Sequence, residues 1–92
     1  MIRYRRSVRF NKSYASLPED VQEKAKKAFS LFQDNRNHPP LYIKKLKGTK
    51  DVWEGRIDSF YRFTFMFDTD ENGVTTYMFL NIGPHDIVGQ RQ

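Results

Sequence analysis

The sequence predicts an α+β fold in which an N-terminal strand and one or two helices pack on one face of a mainly antiparallel four-stranded sheet. Three patterns predict it. Apolar and polar residues alternate near the N-terminus, apolar residues recur at helical spacing after Pro18, and alternation returns in several short segments from Leu41 onward. A strand, then helix, then a run of strands joined by short turns puts the helices in one layer against the sheet.

Length and composition limit the possible architectures. The chain has 92 residues, enough for one hydrophobic core, so residues 1–92 are expected to form a single domain. Its net charge of +5 favours a polyanionic partner, which can be nucleic acid, an acidic protein or an anionic membrane surface. No apolar run approaches the roughly 20 residues that span a bilayer, and no signal peptide is recognisable. We therefore expect a cytoplasmic protein without membrane association.

The first predicted element is a strand over residues 2–10, where apolar and basic residues alternate with period two. Its second face carries Arg3, Arg5 and Arg9, either as a solvated surface or as a binding surface. The polar residues 11–17 that follow allow at most one helical turn. The N-terminal region therefore contributes mainly a basic strand.

The main helix is predicted to begin at Pro18, because proline suits the first helical position and Glu19 and Asp20 complement the helix dipole. One apolar stripe follows at helical spacing: Val21, Ala25, Ala28, Phe29 and Phe32. The prolines and asparagines of residues 35–40 end the helix. This helix should pack its stripe on the sheet.

Four further strands are predicted over residues 41–47, 52–58, 61–68 and 74–82, followed by an unpatterned tail, residues 83–92. The second and third of these form a hairpin. If their aromatic residues share one buried face, Trp53 must lie opposite Phe65, and that register puts Arg56 opposite Arg62. The last strand is apolar on both faces and should be central in the sheet or covered on both sides.

The arginine pair is the strongest candidate site. Two guanidiniums side by side repel each other unless an anion is near, so either Glu54 and Asp58 on the same face neutralise them or a phosphate does. A lysine cluster precedes the glycine turn, either as a solvated face or as an anion-binding surface: Lys44, Lys45 and Lys47. This part of the chain combines the densest charge with the densest apolar pattern.

The histidine, cysteine and glycine content of the sequence excludes several classes of site. His38 and His85 are isolated, cysteine is absent, and no phosphate-binding glycine loop is present, so neither a metal nor a cofactor is expected. RNA cleavage by its own 2′-hydroxyl suits the groups that remain, since it needs cations at the phosphate and groups that move protons. His85 is the candidate for proton transfer. Tyr77 or Phe79 would stack a base if they lie on an exposed face.

Several segments together resemble the RelE/ParE superfamily of toxins from type II toxin–antitoxin systems. They are the helix after Leu17, Lys45-Leu46-Lys47-Gly48, Trp53 with Arg56-Ile57, Tyr61-Arg62-Phe63, and Ile82-Gly83-Pro84-His85-Asp86. The resemblance covers nearly the whole chain and implies two N-terminal helices behind a small sheet with a concave basic face opposite. In the RelE-like branch, which we favour, that face enters the ribosomal A site and cleaves mRNA. A cognate antitoxin wraps around such toxins and neutralises them.

The resemblance also assigns roles to residues. Arg62 matches the arginine that contacts the scissile phosphate, Arg56 matches a neighbouring basic position, and His85 falls where members carry a C-terminal His, Tyr or Arg. We therefore expect a metal-independent, ribosome-dependent mRNA endonuclease with these three as catalytic residues. The lysines Lys44, Lys45 and Lys47 would bind RNA. Two alternatives stay open: a non-catalytic ParE-like inhibitor of DNA gyrase, and a non-toxic relative that only binds its antitoxin.

Overall fold

The computed structural model describes residues 1–89, so the last three residues of the predicted tail lie outside the described part. Seven regular elements follow one another in this range: β1 (Ile2–Arg6), α1 (Val8–Ala15), α2 (Glu19–Asp34), β2 (Lys44–Lys45), β3 (Trp53–Arg56), β4 (Tyr61–Thr69) and β5 (Thr75–Pro84). Short 3-10 helices occupy Pro39–Leu41 and His85–Gly89. The predicted α+β class is confirmed. Over residues 1–89, no helix is both long and apolar enough to cross a bilayer.

The sheet has five strands in the order β1-β5-β4-β3-β2, so the prediction of four strands is wrong. The N-terminal strand joins the sheet, because it pairs in parallel with β5 and places Ile2 opposite Thr75 and Arg6 opposite Phe79. The other three pairings are antiparallel. By pairing with β5, β1 supplies hydrogen-bond partners for the edge of β5 that faces away from β4. As predicted, β5 is therefore a central strand.

The predicted strand over residues 2–10 ends early, at Arg6, because Ser7 starts a helix. Its Oγ accepts a hydrogen bond of 2.9 Å from the backbone N of Phe10, which satisfies a free donor of the first helical turn. The chain therefore forms the eight-residue helix α1 where the sequence predicted at most one turn. Within α1, Phe10 points into the core and is only 1% exposed.

Helix α2 begins directly after Pro18, as predicted, and four of the five residues of its apolar stripe are buried, while Phe29 is partly buried against the core. The Phe32 ring contacts the rings of Phe63, Phe65, Tyr77 and Phe79, with centroids between 5.1 and 6.0 Å apart. This aromatic cluster forms the centre of the core. Tyr77 and Phe79, which the sequence offered as base-stacking residues, are both buried here and cannot serve that role.

The loop after α2 differs most from prediction. The strand expected over residues 41–47 is reduced to Lys44–Lys45. Pro39 and Pro40 lack backbone N–H donors and start a 3-10 turn instead, and Tyr42 adopts a left-handed backbone conformation that interrupts any extended run. Leu41 is nonetheless buried as an apolar anchor of this segment.

The hairpin of β3 and β4 has the predicted register, with Trp53 opposite Phe65 and Arg56 opposite Arg62. Its first strand is shorter than predicted, ending at Arg56 because Asp58 belongs to the turn. Gly55 lies directly over a core ring: a Cβ at this position would overlap the Phe63 ring and come within 2.9 Å of the Cδ1 of Ile43. Close packing of strand on core ring therefore requires glycine here.

Candidate functional site

The sheet has two chemically different faces. Phe63 packs its ring against α2, so its strand neighbour Arg62 points away from the helices. Cross-strand pairing places Arg56 beside Arg62 and Lys44 beside Glu54 on that same side. We call this side the open face. The alternation of β4 thus sends aromatic rings into the core and Arg62 to the open face.

A cavity of about 240 Å³ lies among these side chains, and we call it the arginine cavity. It is lined by Tyr42, Ile43, Lys44, Glu54, Arg56 and Arg62. Three of these residues are cationic and one is a carboxylate, so the cavity has an excess of positive charge and favours an anion. No group of three or more His, Cys, Asp or Glu side chains in the described range is arranged to hold a metal ion.

Arg56 is held by an aromatic ring. Its guanidinium carbon lies 4.1 Å from the centroid of the Tyr42 ring, a cation–π contact. Its Nε is buried and has no hydrogen-bond partner within residues 1–89. Because that nitrogen is buried and unpaired, the described contact that holds the Arg56 guanidinium is the Tyr42 ring.

Arg62 is held by the backbone of the hairpin turn. Its Nη1 donates hydrogen bonds to the carbonyl oxygens of Asp58, at 2.7 Å, and Tyr61, at 3.1 Å. These bonds restrict the guanidinium before any ligand arrives, and a group that is already ordered binds with a smaller entropic cost. Arg62 is therefore a preorganised cation on the open face.

The two carboxylates that the sequence placed beside the arginines pair with lysines instead. Glu54 is 6% exposed, and its Oε1 lies 3.2 Å from the Nζ of Lys44. The Oδ2 of Asp58 lies 3.2 Å from the Nζ of Lys24. No carboxylate of the described residues lies within 4.0 Å of either guanidinium. Of the two ways to relieve the arginine repulsion, the anion is the one that the geometry favours.

Asp58 shapes the turn that holds Arg62. Its Oδ1 accepts hydrogen bonds from the backbone N of Phe60, at 2.9 Å, and of Tyr61, at 2.8 Å. Partial burial by itself would raise the pKa of the Asp58 carboxyl, but these two amides and the Lys24 ammonium outweigh it and hold the pKa below its ordinary value. The charged carboxylate is therefore the form that the folded turn prefers.

Replacing Asp58 by alanine is expected to lower the free energy of unfolding by about 1 kcal/mol at pH 7, because two amide donors lose their acceptor. The pKa is depressed in the folded state, so the charge stabilises above the unfolded value of about 3.9, and this stabilisation is lost as the pH falls through the folded pKa. Urea unfolding at pH 7 and pH 3 should show a smaller difference at pH 3. Asp58→Asn, which keeps the acceptor oxygen, is the matched control, and an equal loss in both variants would contradict the turn assignment.

The structure separates the three predicted lysines. Lys44 alone lines the arginine cavity, with its side chain 71% exposed beside Glu54. Lys45 pairs with Trp53 and therefore points to the helical side of the sheet edge. Lys47 is exposed in the turn before Gly48, which has a φ of +77°. The three lysines that are clustered in the sequence therefore lie on different sides of the edge strand β2 and in the turn after it.

His85 lies at the same end of the sheet as the arginines. It comes two residues after Gly83, the cross-strand neighbour of Arg62. Its ring packs edge-to-face on Phe60 with centroids 5.4 Å apart, and its backbone N donates a 2.6 Å hydrogen bond to the Phe60 carbonyl. His85 does not line the arginine cavity, so a ligand must extend to the end of the sheet to meet it.

Tyr42 is the site residue that sequence reasoning missed. It lines the arginine cavity and is 61% exposed, but alternation assigned it to a strand face next to Leu41. The available signal was the Pro39-Pro40 pair, which ends one residue before Tyr42 and disfavours an extended start at this point. An exposed aromatic residue after two prolines belongs to a loop, and this loop borders the arginine pair.

Neither a family model nor a curated protein matches the sequence, but several solved structures have a similar fold. YafQ from E. coli strain BL21(DE3) superposes with a TM-score of 0.74 at 14% identity, covering 96% of this chain and 98% of that one. A YoeB/ParE toxin from Agrobacterium tumefaciens gives 0.72 at 14% identity over 90% and 98% of the two chains. The archaeal RelE-RelB complex from Pyrococcus horikoshii OT3 gives 0.67 at 17% identity over 98% of each chain.

This chain has the RelE/ParE fold. The resemblance carried by the sequence motifs is therefore confirmed at the level of fold, including two N-terminal helices behind the sheet. Identities of 14–17% are too low to transfer individual residues from these structures. In this RelE/ParE fold, the basic residues of the open face must be judged by their own geometry.

Proposed function

We propose that this protein is the toxin of a type II toxin–antitoxin system and acts as a ribosome-dependent, metal-independent mRNA endonuclease. The observation that carries the proposal is the Arg56–Arg62 pair, two arginines at paired strand positions that line one cavity and have no described carboxylate within 4.0 Å of either guanidinium. Solved structures with the same fold are named as toxins, including E. coli RelE and the Agrobacterium YoeB/ParE protein. Fold and charge thus support the same role.

The proposed reaction is cleavage of RNA by its own 2′-hydroxyl. The 2′-oxygen attacks the neighbouring phosphorus, the bond from phosphorus to the 5′-oxygen breaks, and the products are a 2′,3′-cyclic phosphate and a 5′-hydroxyl. Negative charge builds up on the non-bridging oxygens in the transition state, where Arg62 and Arg56 stabilise it. The proton of the 2′-hydroxyl leaves to a base, and an acid protonates the departing 5′-oxygen.

His85 is the proposed proton-transfer residue, because imidazole accepts a proton in its neutral form and donates one in its charged form. RNA bound across Arg62 toward Gly83 and the end of β5 would bring a reacting oxygen to it. Lys44 is proposed to hold the RNA backbone at the other side of the arginine cavity. Lys45 and Lys47, on the edge strand and its turn, are proposed to extend that contact outward.

Ribosomes and a cognate antitoxin are the proposed partners. The open face would meet mRNA in the ribosomal A site, and the proposed place of action is therefore the cytoplasm. Complexes of RelE with RelB from Methanococcus jannaschii and Pyrococcus horikoshii share this fold, which supports an antitoxin partner. The first 18 residues contain five cations and no carboxylate, and β1 is an edge strand, so an acidic antitoxin segment fits this surface.

The test is controlled expression of the protein in bacteria together with a reporter mRNA in two forms, one translated and one with its start codon removed. Primer extension should reveal cuts within codons of the translated form only, together with growth arrest. Intact mRNA with growth arrest and loss of plasmid supercoiling would indicate gyrase inhibition instead. Harmless expression would indicate a relative that only binds its antitoxin.

A further inference from the structure

Tyr42 combines exposure with an unusual backbone. Tyr42 is 61% exposed. Its backbone φ of 46° and ψ of 49° lie in the left-handed region. Among residues 1–89 it is the only non-glycine residue with positive φ. Left-handed conformations are costly for a bulky side chain and persist where the surroundings impose them, often at binding sites.

The neighbours of Tyr42 impose this conformation. Its backbone N donates a 3.1 Å hydrogen bond to the carbonyl of Pro39, which closes the 3-10 turn. Leu41 on one side is 1% exposed, and Ile43 on the other side packs against the core. Because both flanking residues are anchored, the tyrosine ring is presented at a defined position on the surface.

The ring and the Arg56 guanidinium form a wall between two cavities. Both residues line the arginine cavity on one side and a shallow depression of about 530 Å³ on the other. The depression is completed by Pro39, Pro40, Ile57, Asp58 and Ser59. It therefore offers an aromatic ring and two proline rings directly beside the cations of the proposed phosphate site.

We propose that Tyr42, stacked on Arg56, is a binding site for one nucleobase of single-stranded RNA, next to the phosphate held by Arg56 and Arg62. The proposal rests on the proposed function and names how its site holds the substrate. Bases of single strands stack on exposed aromatic rings and on arginine planes, with little dependence on sequence. A protein partner would use the same ring as an anchor, but the neighbouring cations Arg62 and Lys44 favour RNA.

The test compares Tyr42→Gly, Tyr42→Phe and the wild type. Glycine removes the ring and adopts positive φ without strain, so the variant should unfold at the same temperature as the wild type or higher. The probe is a short 2′-O-methylated RNA, which lacks the attacking hydroxyl, and a matched strand in which abasic sites replace the bases. The wild type and Tyr42→Phe should bind the intact strand about tenfold more tightly than the abasic strand.

In Tyr42→Gly this tenfold preference should disappear, whereas Arg62→Ala should weaken binding of both strands by a similar factor. A base-dependent preference that persists in Tyr42→Gly, or is absent from the wild type, would overturn the stacking site. The outcome is separable from the proposed function. Cleavage of translated mRNA without any base preference in binding would support the nuclease activity and exclude the stacking site on Tyr42. A base preference without cleavage would support the stacking site and exclude the nuclease activity.

Discussion

Replacing Arg62 by alanine is expected to slow mRNA cleavage by about 10²–10³-fold, as removal of one preorganised transition-state donor does in other enzymes. Arg62 is the better held of the two guanidiniums, since its Nη1 is bonded to the carbonyls of Asp58 and Tyr61. A donor that is already oriented needs no reorganisation when charge develops on the phosphate. Primer extension on a translated reporter mRNA and the growth rate after induction would both measure the loss.

Two further variants give this experiment its controls. Arg62→Lys keeps the charge but not the planar fork of donors, so it should retain an intermediate rate. Lys26→Ala removes an exposed cation on helix α2 that pairs with Glu23, so cleavage should remain at the wild-type level. Full cleavage by a correctly folded Arg62→Ala protein would exclude the arginine from the reaction. Circular dichroism should accompany the measurement, because Arg62 also bonds the hairpin turn.

Replacing Phe32 by alanine is expected to lower the free energy of unfolding by about 3–5 kcal/mol, the usual cost of deleting a buried aromatic ring. Phe32 is 3% exposed and contacts four other rings from β4 and β5. Small domains are stable by only about 5–15 kcal/mol, so this single change removes a large share of the total. Urea unfolding followed by Trp53 fluorescence would measure it.

The matched control is an alanine substitution at the preceding residue, Leu31. Leu31 is 38% exposed on the same helix, and Leu31→Ala should cost less than about 1 kcal/mol, because little apolar surface is lost there. If the two variants were destabilised equally, α2 would not pack on the sheet through the Phe32 stripe. The unfolding slope with urea should be similar in both variants, since neither changes the extent of surface exposed on unfolding.

Core and candidate site depend on the same strands. In β4, Phe63 and Phe65 are fully buried against the helices, while Arg62 between Tyr61 and Phe63 points to the open face. A shift of the β3–β4 register by one residue would turn the aromatic rings outward and separate the arginine pair. The packing energy of the core therefore also fixes the geometry of the cation pair.

Local sequence patterns were sufficient to predict an element or a pairing where a single physical rule decided the outcome. The helix start at Pro18, the apolar stripe through Phe32 and the pairing of Arg56 with Arg62 are all confirmed. The helix start follows from proline and acidic residues at a helix N-terminus, and the other two follow from periodicity and burial. The N-terminal strand was predicted four residues too long, because a serine cap at Ser7 competes with continued alternation and the cap prevailed.

The sequence by itself determined helix α2 as a layer on the sheet, the hairpin register and the Arg56–Arg62 pair, since these depend on side-chain period and on which residues must be buried. Tertiary structure decided that β1 pairs in parallel with β5, that Glu54 and Asp58 pair with lysines, and that Tyr42 stacks on Arg56. Those contacts join residues far apart in the chain or in irregular loops. Their geometry depends on how the packed elements meet, which no local period encodes.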